Sequence, residues 1–226
     1  MEIVKPWVEI EDYDAVRIMK NLEKACRTCY RSENLITDDS YKTLLKNCIN
    51  KGHESILEHE KITIRLYCDV GAYKDLTRHR AGTAFSIEST RYCNYSKDKY
   101  TNNIKFIEPI FITNENNFKL WKKAMEETEK CYIQMANNGA KTDELRMLLP
   151  HSTAAEMTMT CNIREWKHVL SLRCSKTVHP SIRQLLIPIL LKFKKDMPEI
   201  FDEVPYDTSF PKEWYAEIKN IGDNDE

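Results

Sequence analysis

The chain has 226 residues, enough to bury a substantial core in a single domain spanning 1–226. Lys and Arg total 34 against 35 Asp and Glu, a formal net charge of -1, so there is no molecule-wide footprint for duplex nucleic acid and any anion site must be local. Hydrophobic residues at 42% and charged residues at 31%, with no long uncharged apolar run and no N-terminal signal pattern, exclude a membrane protein and make the cytosol the expected location.

The eight cysteines are scattered along the chain, and a domain of this size needs no disulfide staples, so reduced thiols are expected. Cys26 and Cys29 have C-x-x-C spacing, but a structural zinc site wants a second pair of ligands at similar spacing and none follows. They are read as one face of a helix.

From Asp12 to Tyr30, Val16, Met19, Leu22, Cys26 and Cys29 recur at helical spacing. Thr37 or Asp38 is placed to cap a second helix through Tyr41, Leu44, Leu45 and Ile49, with Gly52 as its left-handed terminator. Ile62, Ile64, Leu66 and Cys68 then alternate with polar residues, the period of a half-buried strand, so a helical start gives way to sheet. Between Phe118 and Ala136 the longest helix is expected, with Gly139 after it. Thr153 to Cys161 alternates as a second strand, with Met157 and Met159 as core. Asn162 then caps a helix carrying Trp166, Val169, Leu170 and Arg173, with Glu165 completing a capping box. His179-Pro180 opens a last helix that Pro188 should kink. The remainder, from about residue 203, reads as a surface-wrapping tail ending in the acidic Gly222 to Glu226. Helices and alternating strands together predict an α+β fold, with helices packed on a mostly antiparallel sheet.

The stretch from Thr77 to Ser96 gathers Arg78, His79, Arg80 and Arg91 with Ser86, Ser89 and Thr90. Guanidinium forks and hydroxyl-rich turns match phosphate oxygens, so a phosphorylated small molecule is the natural guest; a solvated basic surface has the same composition. Taken singly, His53, His59 and His168 read as structural histidines, Arg146 as the partner of a carboxylate, and Arg173 as the complement of a helix dipole.

The order of these residues carries more. RHR at 78–80 followed by S-x-R-Y at 89–92, the H-E-S-I-L-E-H of 53–59, the R-M-L-L-P of 146–150, the N-I-R of 162–164 and the L-R of 172–173 stand in one sequence from about residue 13 to 200. This succession resembles the flavin-dependent thymidylate synthases, the thymidylate synthase-complementing type of fold. The resemblance implies reductive methylation of dUMP to dTMP, with FAD as cofactor and methylene-tetrahydrofolate and NADPH as co-substrates. It assigns FAD to Ser55, Arg78, His79, Arg80, Asn162, Arg164 and His168. It assigns dUMP to Asp75, Arg78, Ser89, Thr90, Arg91, Arg146 and Arg173, with Arg173 as the catalytic cation beside the pyrimidine. It also implies a homotetramer with active sites where subunits meet, with no bound metal and no nucleic-acid or membrane partner. The absence of a G-x-G-x-x-G turn argues against a Rossmann route to the flavin.

One departure stands out: eight residues separate Arg80 from Ser89 where the family usually has seven, and Ile87 stands where Glu or Gln is common. Two other readings follow from the same stretch. One is a single-stranded nucleic-acid binder that stacks bases on the tyrosines of 78–100. The other is a relative that keeps flavin or nucleotide but has lost turnover. No protein nucleophile is needed for the expected chemistry; among the cysteines only Cys174, next to Arg173, merits a check.

Overall fold

The computed structural model describes residues 1–96 and 103–219. In chain order the elements are β1 (Glu2–Val4), β2 (Trp7–Glu11), α1 (Ala15–Thr28), α2 (Ser40–Asn50), a 3-10 turn (Glu54–His59), β3 (Lys61–Asp69), α3 (Val70–Leu76), β4 (Thr83–Ile87) and β5 (Lys105–Ile107). They continue with α4 (Glu115–Asn137), α5 (Thr142–Leu145), β6 (Ala154–Asn162), α6 (Ile163–Arg173), α7 (Pro180–Asp196), α8 (Pro198–Phe201) and β7 (Glu217–Lys219).

Five strands form the main sheet in the order β4-β6-β3-β2-β7; its pairings are antiparallel except for β2 with β7. The register sets Ile62 opposite Cys161, Ile64 opposite Met159 and Leu66 opposite Met157, so one face of β3 and β6 is continuously apolar. Helices cover that face. Trp166 of α6 is fully buried and donates its indole N–H to the Ile62 carbonyl at 2.9 Å, which fixes α6 on the sheet. In α7, buried residues occur all round the helix, from Ile182 and Leu185 to Leu190 and Phe193, as expected of a helix enclosed by the core. The α+β reading therefore holds.

Several local expectations are corrected. The chain starts with strands, not a helix: Trp7-Val8-Glu9-Ile10-Glu11 alternates in the same way as β3, with Val8 and Ile10 buried against the core. The first helix is capped by Asp14 and buries Ile18, Met19, Leu22, Glu23 and Cys26. Val16 and Cys29, which lie at its two ends, are exposed, so Cys26 and Cys29 do not share a face. In α2 the cap position is Asp39, and neither Thr37 nor Asp38 provides the cap. Gly52 and Gly139 both take positive φ, as terminators should. Pro188 lies inside α7 and does not end it. The supposed tail belongs to the domain: Val204, Phe210 and Ala216 are buried, the Ala216 N–H donates to the Gln184 carbonyl at 2.8 Å, and β7 extends the sheet. The acidic Gly222 to Glu226 lies outside the described residues.

A second, smaller core gathers Tyr95, Ile104, Phe106, Met125, Tyr132 and Leu145 beneath α4 and α5, beside the two-stranded parallel sheet of β1 and β5.

Candidate active site

Helix α6 begins where β6 ends. The Asn162 side chain accepts the Glu165 backbone N–H at 2.8 Å and starts the helix; its other side is pressed by Gly82, where a methyl group would stand 2.6 Å from Asn162 Nδ2. Gly82 also has φ +61, so glycine is required there twice over. The expected capping box does not form around Glu165. Its carboxylate turns instead toward His79, with Oε1 at 3.3 Å from Nδ1.

His79 follows α3 and is 6% exposed. Arg173, the last residue of α6, donates from Nε to His79 Nε2 at 2.9 Å and from Nη2 to the Asp75 carbonyl at 3.0 Å. Burial, then the Arg173 charge, then His168 push His79 down to about 4, so the imidazole is neutral at ordinary pH. Since Nε2 accepts from Arg173, the ring proton sits on Nδ1 and faces Glu165, whose carboxyl burial raises. His168 stands edge-on to His79 at 5.9 Å. The ligating atoms of His79, Glu165 and His168 lie within 4.8 Å of one another, a spacing open to a metal. Nε2 of His79 is taken by the guanidinium, so His79 and Glu165 read as a support for Arg173, with His168 packed against the imidazole.

At the N-terminal turn of α6 a cleft of about 650 Å³ opens, lined by Glu54, Glu58, Gly82, Asn162, Arg164, Lys167 and His168 among others. An adjoining groove of about 610 Å³ shares Glu58, Gly82 and Asn162 and adds Arg80. Two ion pairs cross the cleft wall, Arg164 to Glu58 at 2.5 Å and Lys167 to Glu54. Carboxylates thus hold the two cations in place beside the N-terminal turn of α6.

The structure therefore brings His79, His168, Arg173 and the backbone of Asp75 into one cluster, while Asn162, Arg164 and His168 line the cleft at the start of α6 and Arg80 the adjoining groove. The Asp75 carboxylate is exposed, and only its carbonyl contacts Arg173. Ser55 and Arg78 are exposed beside these elements. Ser89 accepts the Arg91 backbone N–H at 3.3 Å, and Thr90 is half-buried. Arg91 and Arg146 stand apart, over the smaller core: Arg91 pairs with Asp143 at 2.9 Å, and Arg146 is exposed near Tyr73. Among the described residues, no hydrogen bond or ion pair joins either of them to the His79 cluster, and no carboxylate pairs with Arg146. Burial holds the Cys174 thiol far above its ordinary range, so it is no activated nucleophile.

Glu54, Glu58, Glu165 and Lys167 were not singled out from sequence as site residues. The acid-rich 53–59 segment facing the basic 164–168 segment was the available signal, but only the fold puts the two together.

Comparison with known proteins places this geometry. The family model described as thymidylate synthase complementing protein matches residues 14–199. A flavin-dependent thymidylate synthase of Pyrococcus abyssi is 30% identical over 162 residues, 71% of this chain and 65% of that protein, so the match spans just under two thirds of the relative. One from Geobacter sulfurreducens is 26% identical over 184 residues, 78% of each chain. Among solved structures, thymidylate synthase X of Helicobacter pylori with FAD and dUMP aligns with a TM-score of 0.71 at 19% identity, covering 88% of this chain and 98% of that one. The UMP/dUMP methylase PolB of Streptomyces cacaoi, bound with 5-Br dUMP, aligns with a TM-score of 0.72 at 22% identity, covering 89% and 96%. With the family model spanning residues 14–199, most of its length, the chain belongs to the thymidylate synthase complementing protein family.

Proposed function

We propose that the chain is a flavin-dependent thymidylate synthase that converts dUMP to dTMP, with methylene-tetrahydrofolate as carbon donor and NADPH reducing the flavin, in the cytosol. The observation that carries this reading is Arg173, a guanidinium held at the end of α6 by a neutral buried imidazole and a backbone carbonyl. A cation fixed in this way stabilises the negative charge a pyrimidine must develop before its carbon 5 can act as a nucleophile. His79 adds no competing charge and accepts from Nε, so the remaining guanidinium N–H groups are presented to substrate. No bond from a protein nucleophile to the ring is required.

The cleft at the start of α6 is of a size usual for small-molecule sites, and the missing side chain of Gly82 lets Asn162 pack against its backbone on the cleft wall. In this reading Arg78, Arg80 and Arg164 hold the cofactor's pyrophosphate, while Ser55, His79, Asn162 and His168 supply its polar partners. When bound, the flavin supplies the hydride. The nucleotide falls to Asp75, Arg78, Ser89, Thr90, Arg91, Arg146 and Arg173. Arg91 and Arg146 lie beside exposed apolar residues, Tyr92 at 79% and Met147 at 82%. Together with the lack of any hydrogen bond or ion pair from them to the His79 cluster among the described residues, this supports sites shared between subunits of a homotetramer. Neither nucleic acid nor membrane enters this reading: the net charge is -1, and no helix among the described residues is long and apolar enough to span a bilayer.

The test is optical and then kinetic. The purified protein is expected to take up FAD, show flavin absorbance and respond to dUMP with a spectral shift. Arg173→Ala should keep the absorbance while tritium release from carbon 5 of labelled dUMP falls at least about 100-fold. A folded wild-type protein that takes up no flavin would overturn the assignment; a variant with full turnover would overturn the role of Arg173.

A further inference from the structure

Cys26 lies in the last turn of α1 and is 6% exposed; Cys48 lies near the end of α2 and is half-buried. Their sulfurs meet at 3.3 Å across the α1/α2 contact, although the two residues are 22 positions apart in the chain. Cys29, which shares the C-x-x-C spacing with Cys26, points into solvent instead. We propose that Cys26 and Cys48 are an oxidisable dithiol, a modification site for low-molecular-weight disulfides, whose closure staples α1 to α2.

The chemistry has a defined order. Cys48, the more accessible thiol, loses its proton and attacks one sulfur of the reagent; that S–S bond breaks and one reagent thiolate leaves. Cys26 then gives up its proton to solvent and attacks the Cys48 sulfur, and the second reagent thiol departs. Two protein thiols are oxidised by two electrons, and one disulfide is reduced to two thiols. A normal bond of about 2.05 Å needs the sulfurs to close by little more than 1 Å, which side-chain rotation within the helix contact can supply. Burial and the neighbouring Cys48 raise Cys26 to about 12, in keeping with its acting second.

The staple bears on the flavin cleft. The Cys48 carbonyl accepts the His53 N–H at 2.9 Å and the Lys51 N–H at 3.2 Å, so Cys48 anchors the turn that leads into Glu54 on the cleft wall. The proposal itself does not depend on what the cleft binds.

The experiment uses the folded full chain and oxidised glutathione, followed by alkylation in denaturant and peptide mapping by mass spectrometry. The expected result is a linked pair of peptides carrying Cys26 and Cys48, reversed by dithiothreitol, while the exposed Cys29 and Cys131 carry glutathione. The oxidised protein should melt at a higher temperature than the reduced one, and Cys48→Ser should abolish that difference. Cys29→Ser should retain the link, which separates this pair from a C-x-x-C couple. Recovery of Cys26 and Cys48 as free thiols, a lasting glutathione adduct on Cys48, or a link that runs through Cys29 would each overturn the proposal.

Discussion

At the residue scale the cleft depends on two features with opposite requirements, a side chain that must be absent and an imidazole that must stay neutral. Gly82 has φ +61 and its missing Cβ would stand 2.6 Å from the amide of Asn162. Gly82→Ala should therefore cost about 1–2 kcal/mol from left-handed strain alone, with further loss as Asn162 is pushed off its helix cap. Urea unfolding measures the first effect, and flavin titration should show weaker uptake. His79 is held at about 4, below its ordinary value, so the folded state binds fewer protons than the unfolded chain at mildly acidic pH. Its contribution is fully present above about 6.5 and is lost as pH falls through that value toward 4. Glu165, raised by burial, acts in the opposite sense. The two are separated by comparison: the urea midpoint of His79→Gln should fall less between pH 7.5 and pH 5 than that of the wild type.

At the scale of elements, the extra residue between Arg80 and Ser89 is accommodated by a strand. Thr83 to Ile87 pair with β6, and the Glu88 N–H extends the ladder to the Glu156 carbonyl at 2.9 Å. The Glu88 carboxylate then accepts from the Tyr95 hydroxyl at 2.9 Å and from the Glu156 N–H at 3.3 Å, closing the loop that carries Ser89, Thr90 and Arg91 at both ends. Ile87 is half-buried against the core in register with Met157. Tyr95→Phe should destabilise the protein by about 1–2 kcal/mol, since a hydrogen bond to a carboxylate is lost. If the loop binds nucleotide, KM for dUMP should rise with little change in flavin affinity, which steady-state kinetics and flavin titration resolve.

For the whole molecule, the division into two cores separates the groups that the chemistry needs together. His79, Arg164 and Arg173 sit on the large core, whereas Arg91 and Arg146 stand over the small one beneath α4 and α5. If each site draws Arg146 from one subunit and Arg173 from another, Arg146→Ala and Arg173→Ala proteins are each inactive but complementary. Unfolding and reassembling them together should restore about a quarter of wild-type activity by random assortment of subunits. Activity no greater than that of the separate variants would place both arginines in one chain's site.

The α+β class, the strands β3 and β6, the long helix and the arginine-rich blocks were legible because each is written in local periodicity or in a run of adjacent residue types. Strand β2 is also written locally, in the alternation of Trp7 to Glu11, whereas the three residues of β1 are too few to show a period. Other features depend on contacts far apart in sequence. The tail joins the domain because β7 finds β2 some two hundred positions away, and Glu165 leaves its own helix cap for a histidine supplied by α3. Cys26 finds Cys48 rather than Cys29 because helix packing, not spacing, sets which sulfurs meet. By itself the sequence determined which chemical groups are present and which faces are apolar, since both are properties of near neighbours. Only the tertiary structure decided which groups face one another, because burial and long-range packing select the partners of a charge, a proton or a thiol.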